Sequence, residues 1–485
     1  MQTLWSKTGR GLALSALTLA LTACQSMRGP EPQVQATTLP VAYVAPATGP
    51  SVAEQGYKDF FADQRLAQVI DLALTNNRDL RIAALNIQRA QQTYQITENN
   101  QLPSIGVSGS VLRQDTVNSK PMTSYNVGLG VTAYELDFWG RVRSLKDNAL
   151  DTYLATASAR DATQIALVGQ VAQAWLSYSF ASANLNLAEQ TLKAQQEAYN
   201  LNRKRFEVGI DSEVPVRQAQ ISVETAKSDV ANYKTQITQA QNLLNLLVGE
   251  QVPSTLLPKQ RITRITGNNS IRPGLPSDLL NNRPDIRAAE YRLSAAGANI
   301  GAAKALMFPT ISLTGSAGLG SRELTDLFKS GSFVWSLGPS LDIPLWDWGT
   351  RKANIQISET DQQIAVSDYE KAIQNAFREV NDALAVRQNI GDRLTAQRRL
   401  VEATNKTYEL SQARFRAGID GYLTVLDAQR TNYSAQQGLL LLEQANLNNQ
   451  VELYKALGGG LKTYASDTVV NPASSAEQAE LRNNP

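Results

Sequence analysis

The chain writes one unit twice. Asn76-Asn77-Arg78-Asp79-Leu80-Arg81 returns as Asn281-Asn282-Arg283-Pro284-Asp285-Ile286-Arg287. LPSIGVSGS at 102–110 returns as FPTISLTGS at 308–316, FWGR at 138–141 as DWGTR at 347–351, and RFEVGID at 205–211 as RFRAGID at 414–420. The order holds across almost the whole of 64–460, so the fold must accommodate two similar halves related by an internal pseudo-twofold. Structural repeat 1 takes 64–250 and structural repeat 2 takes 277–460. An equatorial connector, 251–276, joins them, and 461–485 reads as a polar C-terminal tail.

Each half reads as helix, two strands, very long helix, tight turn, helix. The helices are expected at 64–100, 140–206 and 213–248, and again at 277–306, 350–415 and 422–457. A helix of about 65 residues is ~100 Å long at 1.5 Å per residue. That exceeds an ordinary globular domain, so these helices must lie along one another. Ile373, Phe377, Val380 and Leu384 step by four, three and four, and Arg387, Gly391 and Leu394 continue the row. This is a coiled-coil-like seam. The expected class is mainly α with a small β part: long coiled-coil-like helices plus four strands.

The strands alternate with period two. Ile105, Val107 and Val111 alternate with Ser104, Gly106, Ser108 and Ser110; Tyr125, Val127, Leu129, Val131 and Ala133 alternate with Asn126, Gly128, Gly130 and Thr132. Ile311, Leu313, Ala317 and Leu319 alternate with Thr310, Ser312, Thr314 and Ser316; Phe333, Trp335, Leu337, Leu341 and Ile343 alternate with Ser336, Gly338, Ser340 and Asp342. Runs of about ten residues have the length of a membrane strand. Alternation alone equally describes a half-buried soluble sheet. In lipid, four strands would leave two bare edges, which the bilayer forbids. Several protomers must then share one barrel, and three would leave an open channel where two would not. Tyr134, Phe138, Trp139, Trp346 and Trp348 sit where strands meet helices, as an interfacial girdle would; strand-end packing is compatible with this.

Lys7 and Arg10 precede an apolar run, Gly11 to Ala20, too short to span a bilayer. It ends in Leu21-Thr22-Ala23-Cys24, which resembles a bacterial lipobox, and Cys24 is the only cysteine of the 485 residues. Residues 1–23 are the expected signal peptide, Cys24 the acylated N-terminus and 24–63 an extended tether. Gln25 follows the cysteine rather than the aspartate associated with inner-membrane retention, so outer-membrane lipid is the expected address. Lys+Arg number 46 against Asp+Glu 44, a net charge of +2, which gives no basic face for nucleic acid. The chain has no histidine, so the commonest general base and metal ligand is missing. No Gly-rich phosphate loop precedes a Lys-Ser/Thr pair. Neither an enzyme, nor a metal, nor a cofactor beyond the lipid on Cys24 is expected.

The segment RFRAGIDGYLTVLDAQR at 414–430 and the YELDFWGR junction at 134–141 resemble the outer-membrane factors, the TolC and OprM type of channel, in their lipidated OprM-like branch. The resemblance covers about 60 to 460 and the lipobox. It implies a homotrimer with a 12-stranded barrel in the outer membrane and a helical tunnel in the periplasm. It implies two partners, a periplasmic adaptor and an inner-membrane pump of the resistance-nodulation-division (RND) type.

Gly209 and Gly418 follow long helices, where glycine closes a helix C-terminus. Asp211 and Asp420 are expected to cap the helices that follow. The resemblance assigns adaptor docking to the two tips, Val208, Gly209, Ile210 and Asp211 with Ala417, Gly418, Ile419 and Asp420. It assigns a periplasmic gate to Leu423, Asp427 and Arg430. Leu423 and Asp427 are i,i+4, and Asp427 and Arg430 are i,i+3. Three carboxylates at ~6 Å and an effective dielectric of ~20 repel by roughly 3 kcal/mol per pair, and Arg430 can offset this. Without the resemblance, Asp427 and Arg430 read as a surface ion pair. Repeat 1 has Val214 and Gln218 at the Leu423 and Asp427 positions, so the gate belongs to the second hairpin. The expected function is a passive exit duct for drug efflux. The alternatives are a duct for metal ions, which 4 Met and no His disfavour, a duct for type I protein secretion, or a non-conducting bridging lipoprotein.

Overall fold

The structure, a computed structural model, describes residues 55–115, 120–267 and 278–461. The expected signal peptide, Cys24, the tether up to 54 and the tail from 462 lie outside the described residues. Two compact units form. Among the described residues one holds 86–157 and 288–371; the other holds 55–85, 158–287 and 372–461.

The elements are α1 (Tyr57–Phe60), α2 (Gln64–Asn76), α3 (Arg78–Asn99), β1 (Ile105–Gln114), β2 (Met122–Glu135), α4 (Arg141–Glu207) and α5 (Glu213–Val248), then α6 (Asp278–Asn282), α7 (Pro284–Ala305), β3 (Thr310–Ser321), a short 3-10 turn, β4 (Phe333–Asp342), α8 (Thr350–Arg416) and α9 (Tyr422–Ala456). Both long helices, α4 and α8, have 67 residues, about 100 Å of rise each. Among the described residues no helix is long and apolar enough to cross a membrane.

Two expected single helices are each broken in two. The 64–100 helix stops at Asn77, whose ψ of 131° is extended. The Asn77 side chain accepts from the Leu80 amide at 2.8 Å, starting α3, and donates to the Leu247 carbonyl at 2.7 Å. Amide side chains compete for backbone groups in this way. The 277–306 helix stops at Arg283, because the residue before a proline disfavours the α conformation. Arg283 is buried, pairs with Asp285 at 2.6 Å and Glu379 at 2.7 Å, and donates to the Ala456 carbonyl at 3.1 Å. Each break is thus tied to the end of its half's last helix, by an amide in one case and a guanidinium in the other.

In the first unit the four strands form one antiparallel sheet in the order β1-β2-β3-β4. The outer edges of β1 and β4 have no partner among the described residues. Across the sheet Val107, Leu129, Ala317 and Trp335 stand in register on one face, and Gly106, Gly130, Ser316 and Ser336 on the other. On that small face Ser312 and Ser340 hydroxyls meet at 2.7 Å, and Ser316 and Ser336 at 2.8 Å. A β-bulge between Val131 and Tyr134, with Ala133 at φ 49°, corrects the expected alternation. The extra residue removes Ala133 from the apolar row and puts Tyr134 opposite Leu313 instead.

In the second unit Trp175 and Tyr454 are the bulky centre of the core, at 0% and 1% exposure. Trp175 donates its indole N–H to the Leu256 carbonyl at 3.0 Å, and Tyr454 stacks on Phe60 at 4.0 Å. The expected seam on α8 is corrected beyond Val380. The buried row passes through Ala383, Ile390 and Leu394, while Gly391 is exposed. A straight helix drifts ~20° per heptad against a 3.5-residue repeat, which carries Ile390 inward in place of Gly391.

Candidate functional site

The two hairpin turns are built alike. Gly209 has φ 76° and Gly418 φ 73°, a backbone that only glycine adopts without strain. The Ile210 amide bonds back to the Arg205 carbonyl at 2.9 Å and the Ile419 amide to the Arg414 carbonyl at 3.0 Å. Asp211 and Asp420 are not the helix caps expected of them. Asp211 accepts from the Arg205 guanidinium at 2.5 Å, and Asp420 from Arg414 at 2.6 and 2.9 Å. A guanidinium six residues back is the stronger donor, so the carboxylate closes the loop, and Ser212 and Gly421 occupy the cap positions without a side-chain bond. That hydrogen bond from Arg414 holds the Asp420 carboxyl below its ordinary range. Val208, Ile210 and Ile419 are exposed at 69%, 65% and 64%, so each turn leaves apolar side chains on the surface.

After the second turn Leu423, Asp427 and Arg430 are all exposed on α9. The helix brings Leu423 and Asp427 to one face, one turn apart. The intrahelical ion pair that i,i+3 spacing permits is not made: among the described residues neither Asp427 nor Arg430 joins any ion pair. After the first turn, by contrast, Arg217 pairs with Glu213 at 2.7 Å and reaches Gln220 at 2.9 Å.

The turn of the second hairpin is backed by Phe415, Tyr422, Val425 and Leu426 packed with Ala219. The Arg205 guanidinium stands over the Phe415 ring at 5.3 Å. Burial pushes the Tyr422 phenol up to about 12.

At the sheet end the five aromatics divide into two groups. Trp346, Trp348 and Phe138 are exposed at 77%, 89% and 59%; the two tryptophans meet edge to face at 5.5 Å. Tyr134 and Trp139 are half-buried and fastened: Tyr134 donates to the Gln101 carbonyl at 2.8 Å, and Trp139 donates to the Pro309 carbonyl at 2.7 Å while stacking on Phe308. Asp137 and Asp347, which the sequence reading passed over, start the two longest helices. Asp137 accepts from the Val142 and Arg143 amides at 3.0 and 2.9 Å, and Asp347 from the Gly349 and Arg351 amides at 3.1 and 3.0 Å. The Arg351 amide in particular lowers the Asp347 pKa. An acid just before an expected helix was the available signal.

The sheet leaves Ile105, Val107, Trp335 and Leu337 exposed at 71%, 76%, 71% and 63%, all on one face. Leaving such side chains in water forgoes roughly 1.5–3 kcal/mol each. On the other face a Cβ at Gly128 would lie 2.7 Å from the Ala317 carbonyl oxygen, and one at Gly318 would collide with the Val127 carbonyl. Side-chain positions converge there, so the sheet creases towards its small polar face along the β2–β3 line.

Comparison with known proteins adds the wider context. The profile of a family described as outer membrane efflux protein matches residues 69–250 and 275–459. The antibiotic efflux pump outer membrane protein ArpC of Pseudomonas putida is 43% identical over 450 residues, 88% of this chain and 92% of ArpC. The cation efflux system protein CusC of Escherichia coli is 38% identical over 408 residues, 84% of this chain and 88% of CusC. The open-state outer membrane channel MtrE of Neisseria gonorrhoeae superposes with a TM-score of 0.81 at 38% identity, over 90% of this chain and 98% of MtrE.

Proposed function

The chain belongs to the outer membrane efflux protein family, and from that premise we propose that it is the passive outer-membrane exit duct of a tripartite drug-efflux system. The observation that carries the reading is the sheet: four strands, two edges unpartnered among the described residues, an apolar face whose outer-strand side chains are exposed, and a crease towards a small polar face. Such a sheet is at rest in a bilayer only when its edges pair with other copies. Three copies supply twelve strands, with the Gly and Ser face lining the lumen. The two repeats, their connector and the tail keep the boundaries given above. Cys24 carries the lipid, and Trp346, Trp348 and Phe138 sit at the headgroup level.

The exposed turns dock the periplasmic adaptor, and an RND pump in the inner membrane supplies the work. Leu423, Asp427 and Arg430 close the periplasmic end. What supports this is that Asp427 and Arg430 are left unpaired among the described residues, as groups reserved for neighbouring copies would be. A cation cargo, as the name of CusC states for that protein, is disfavoured by the 4 Met and absent His.

The test is deletion and complementation in a strain expressing the cognate pump. Deletion raises drug sensitivity and the intact gene restores resistance; unchanged sensitivity in that background contradicts the proposal.

A further inference from the structure

The apolar face of the sheet is not even. Two rows cross it in register, Leu129 with Ala317 and Trp335, and Val131 with Gly315 and Leu337. Strand β3 contributes the smallest group to each row, a methyl at Ala317 and no side chain at Gly315. The strands beside it contribute leucines, a valine and a tryptophan, so the middle of each row is low and its flanks are high. The result is a trough of about 540 Å³, floored by Gly315 and Ala317 and walled by Leu129, Leu313, Trp335 and Leu337. Tyr134 closes one end, where the bulge sets it opposite Leu313.

The trough presents hydrocarbon to a ligand. None of the side chains that form its floor and walls is charged. Tyr134 gives its only proton to the Gln101 carbonyl at 2.8 Å. Ser316 and Ser336 border the trough with their backbone, but their hydroxyls meet each other at 2.8 Å on the opposite face. A drug-like molecule needs a few placed polar groups to orient it; an alkyl chain needs none. Length narrows the choice further. From Leu313 to Ala317 the strand rises about 14 Å, and a leaflet is half of a ~30 Å hydrocarbon core. The Tyr134 end is the end of β2 that leads to Phe138 and Trp139. The trough therefore starts at the girdle, where headgroups lie, and runs towards the midplane. Left empty, its lining would have no contact atoms on one side.

We propose that this trough is a lipid site: it holds one acyl chain of a phospholipid from the periplasmic leaflet. The site rests on the reading of the sheet as membrane-spanning. Gly315 and Ala317 are the residues that admit the chain, because any larger side chain there occupies its space. Trp335 and Leu337 on one side and Leu129 on the other hold it laterally, and Tyr134 fixes its headgroup end.

The experiment places the purified full-length protein in vesicles of phosphatidylethanolamine that carries a diazirine in mid-chain. Illumination inserts the carbene into whichever side chain it touches, and mass spectrometry of the peptides maps the adducts. Val107 is the reference, because it stands on the same face, in register with Leu129, outside the trough. The variants are Ala317→Trp, which fills the trough, and Ala317→Leu, a milder filling should tryptophan disturb the fold. In the wild type, adducts should concentrate on Leu313 and Leu337 over Val107. Both variants should lose that excess while Val107 keeps its adducts. Equal labelling at the three positions, unchanged by either variant, would mean an ordinary lipid-facing surface and overturns the site. Labelling at Val107 with none in the trough would mean that a neighbouring copy fills it, which overturns the site while the membrane reading stands. If Val107 itself takes no adduct, the sheet is not in lipid, and the membrane reading falls with the site.

Discussion

At the first hairpin Arg217 is neutralised by Glu213 at 2.7 Å; at the second, Asp427 and Arg430 stand exposed and unpaired among the described residues. Yet the turns that precede these helices share glycine conformation, backbone bonds and an Arg–Asp closure. The turn is therefore a common scaffold, and the specialisation lies in the helix that leaves it. The phenylalanines inside the two turn motifs differ in the same sense. Phe206 is 43% exposed, whereas Phe415 is 8% exposed and lies under Arg205. The first hairpin's exposed charge is paired; the second carries unpaired exposed charge on a base backed by a packed cluster.

That contrast can be broken or sharpened in several ways. The largest effect is expected from Asp427→Gln, which gives the second hairpin the residue the first has at Gln218. Single-channel conductance should rise clearly, while Gln218→Ala should leave it unchanged; equal effects would erase the contrast. Next come Gly209→Val and Gly418→Val. Nothing lies within 4 Å of a Cβ at either, so the cost is backbone strain alone, about 1–2 kcal/mol at each turn. Calorimetry should find the two losses alike, because the turns are alike.

Smaller still is the pH response of the second turn. Arg414 lowers the Asp420 pKa from 3.8, so the contribution is complete above 3.8 and is lost as pH falls through the lowered value. Hydrogen exchange of the 417–420 amides, corrected for intrinsic rates, should quicken only below that point. The smallest effect is that of Phe415→Leu, which removes the ring under Arg205 at a cost of about 0.5–1 kcal/mol. Phe206→Leu should cost close to nothing by the same thermal measurement.

Much of the architecture was legible in the sequence, because period and repetition are local. All four strands fall within two residues of the alternating runs at 104–112, 124–134, 310–319 and 333–343, and the long helices within one residue of the expected limits. What was illegible depends on contacts that no local window contains. Asn77 breaks a helix because the Leu247 carbonyl is there to receive its amide. Asp211 and Asp420 were read as caps because spacing alone does not show an arginine folding back across the turn. The bulge at Ala133 answers to Leu313 on another strand. The Asp229–Tyr433 hydrogen bond joins residues 204 apart, and neither belongs to a motif. The break at Arg283, by contrast, was written in the proline that follows it.

The central claim is that the periplasmic end is closed by the second hairpin and not by the first. Its most direct test is the conductance, in planar bilayers, of wild type, of Asp427→Ala with Arg430→Ala, and of Val214→Ala with Gln218→Ala. The account predicts small conductance for wild type and for the first-hairpin pair, and a clear rise for the second-hairpin pair alone. A rise in both pairs, or in neither, would contradict it.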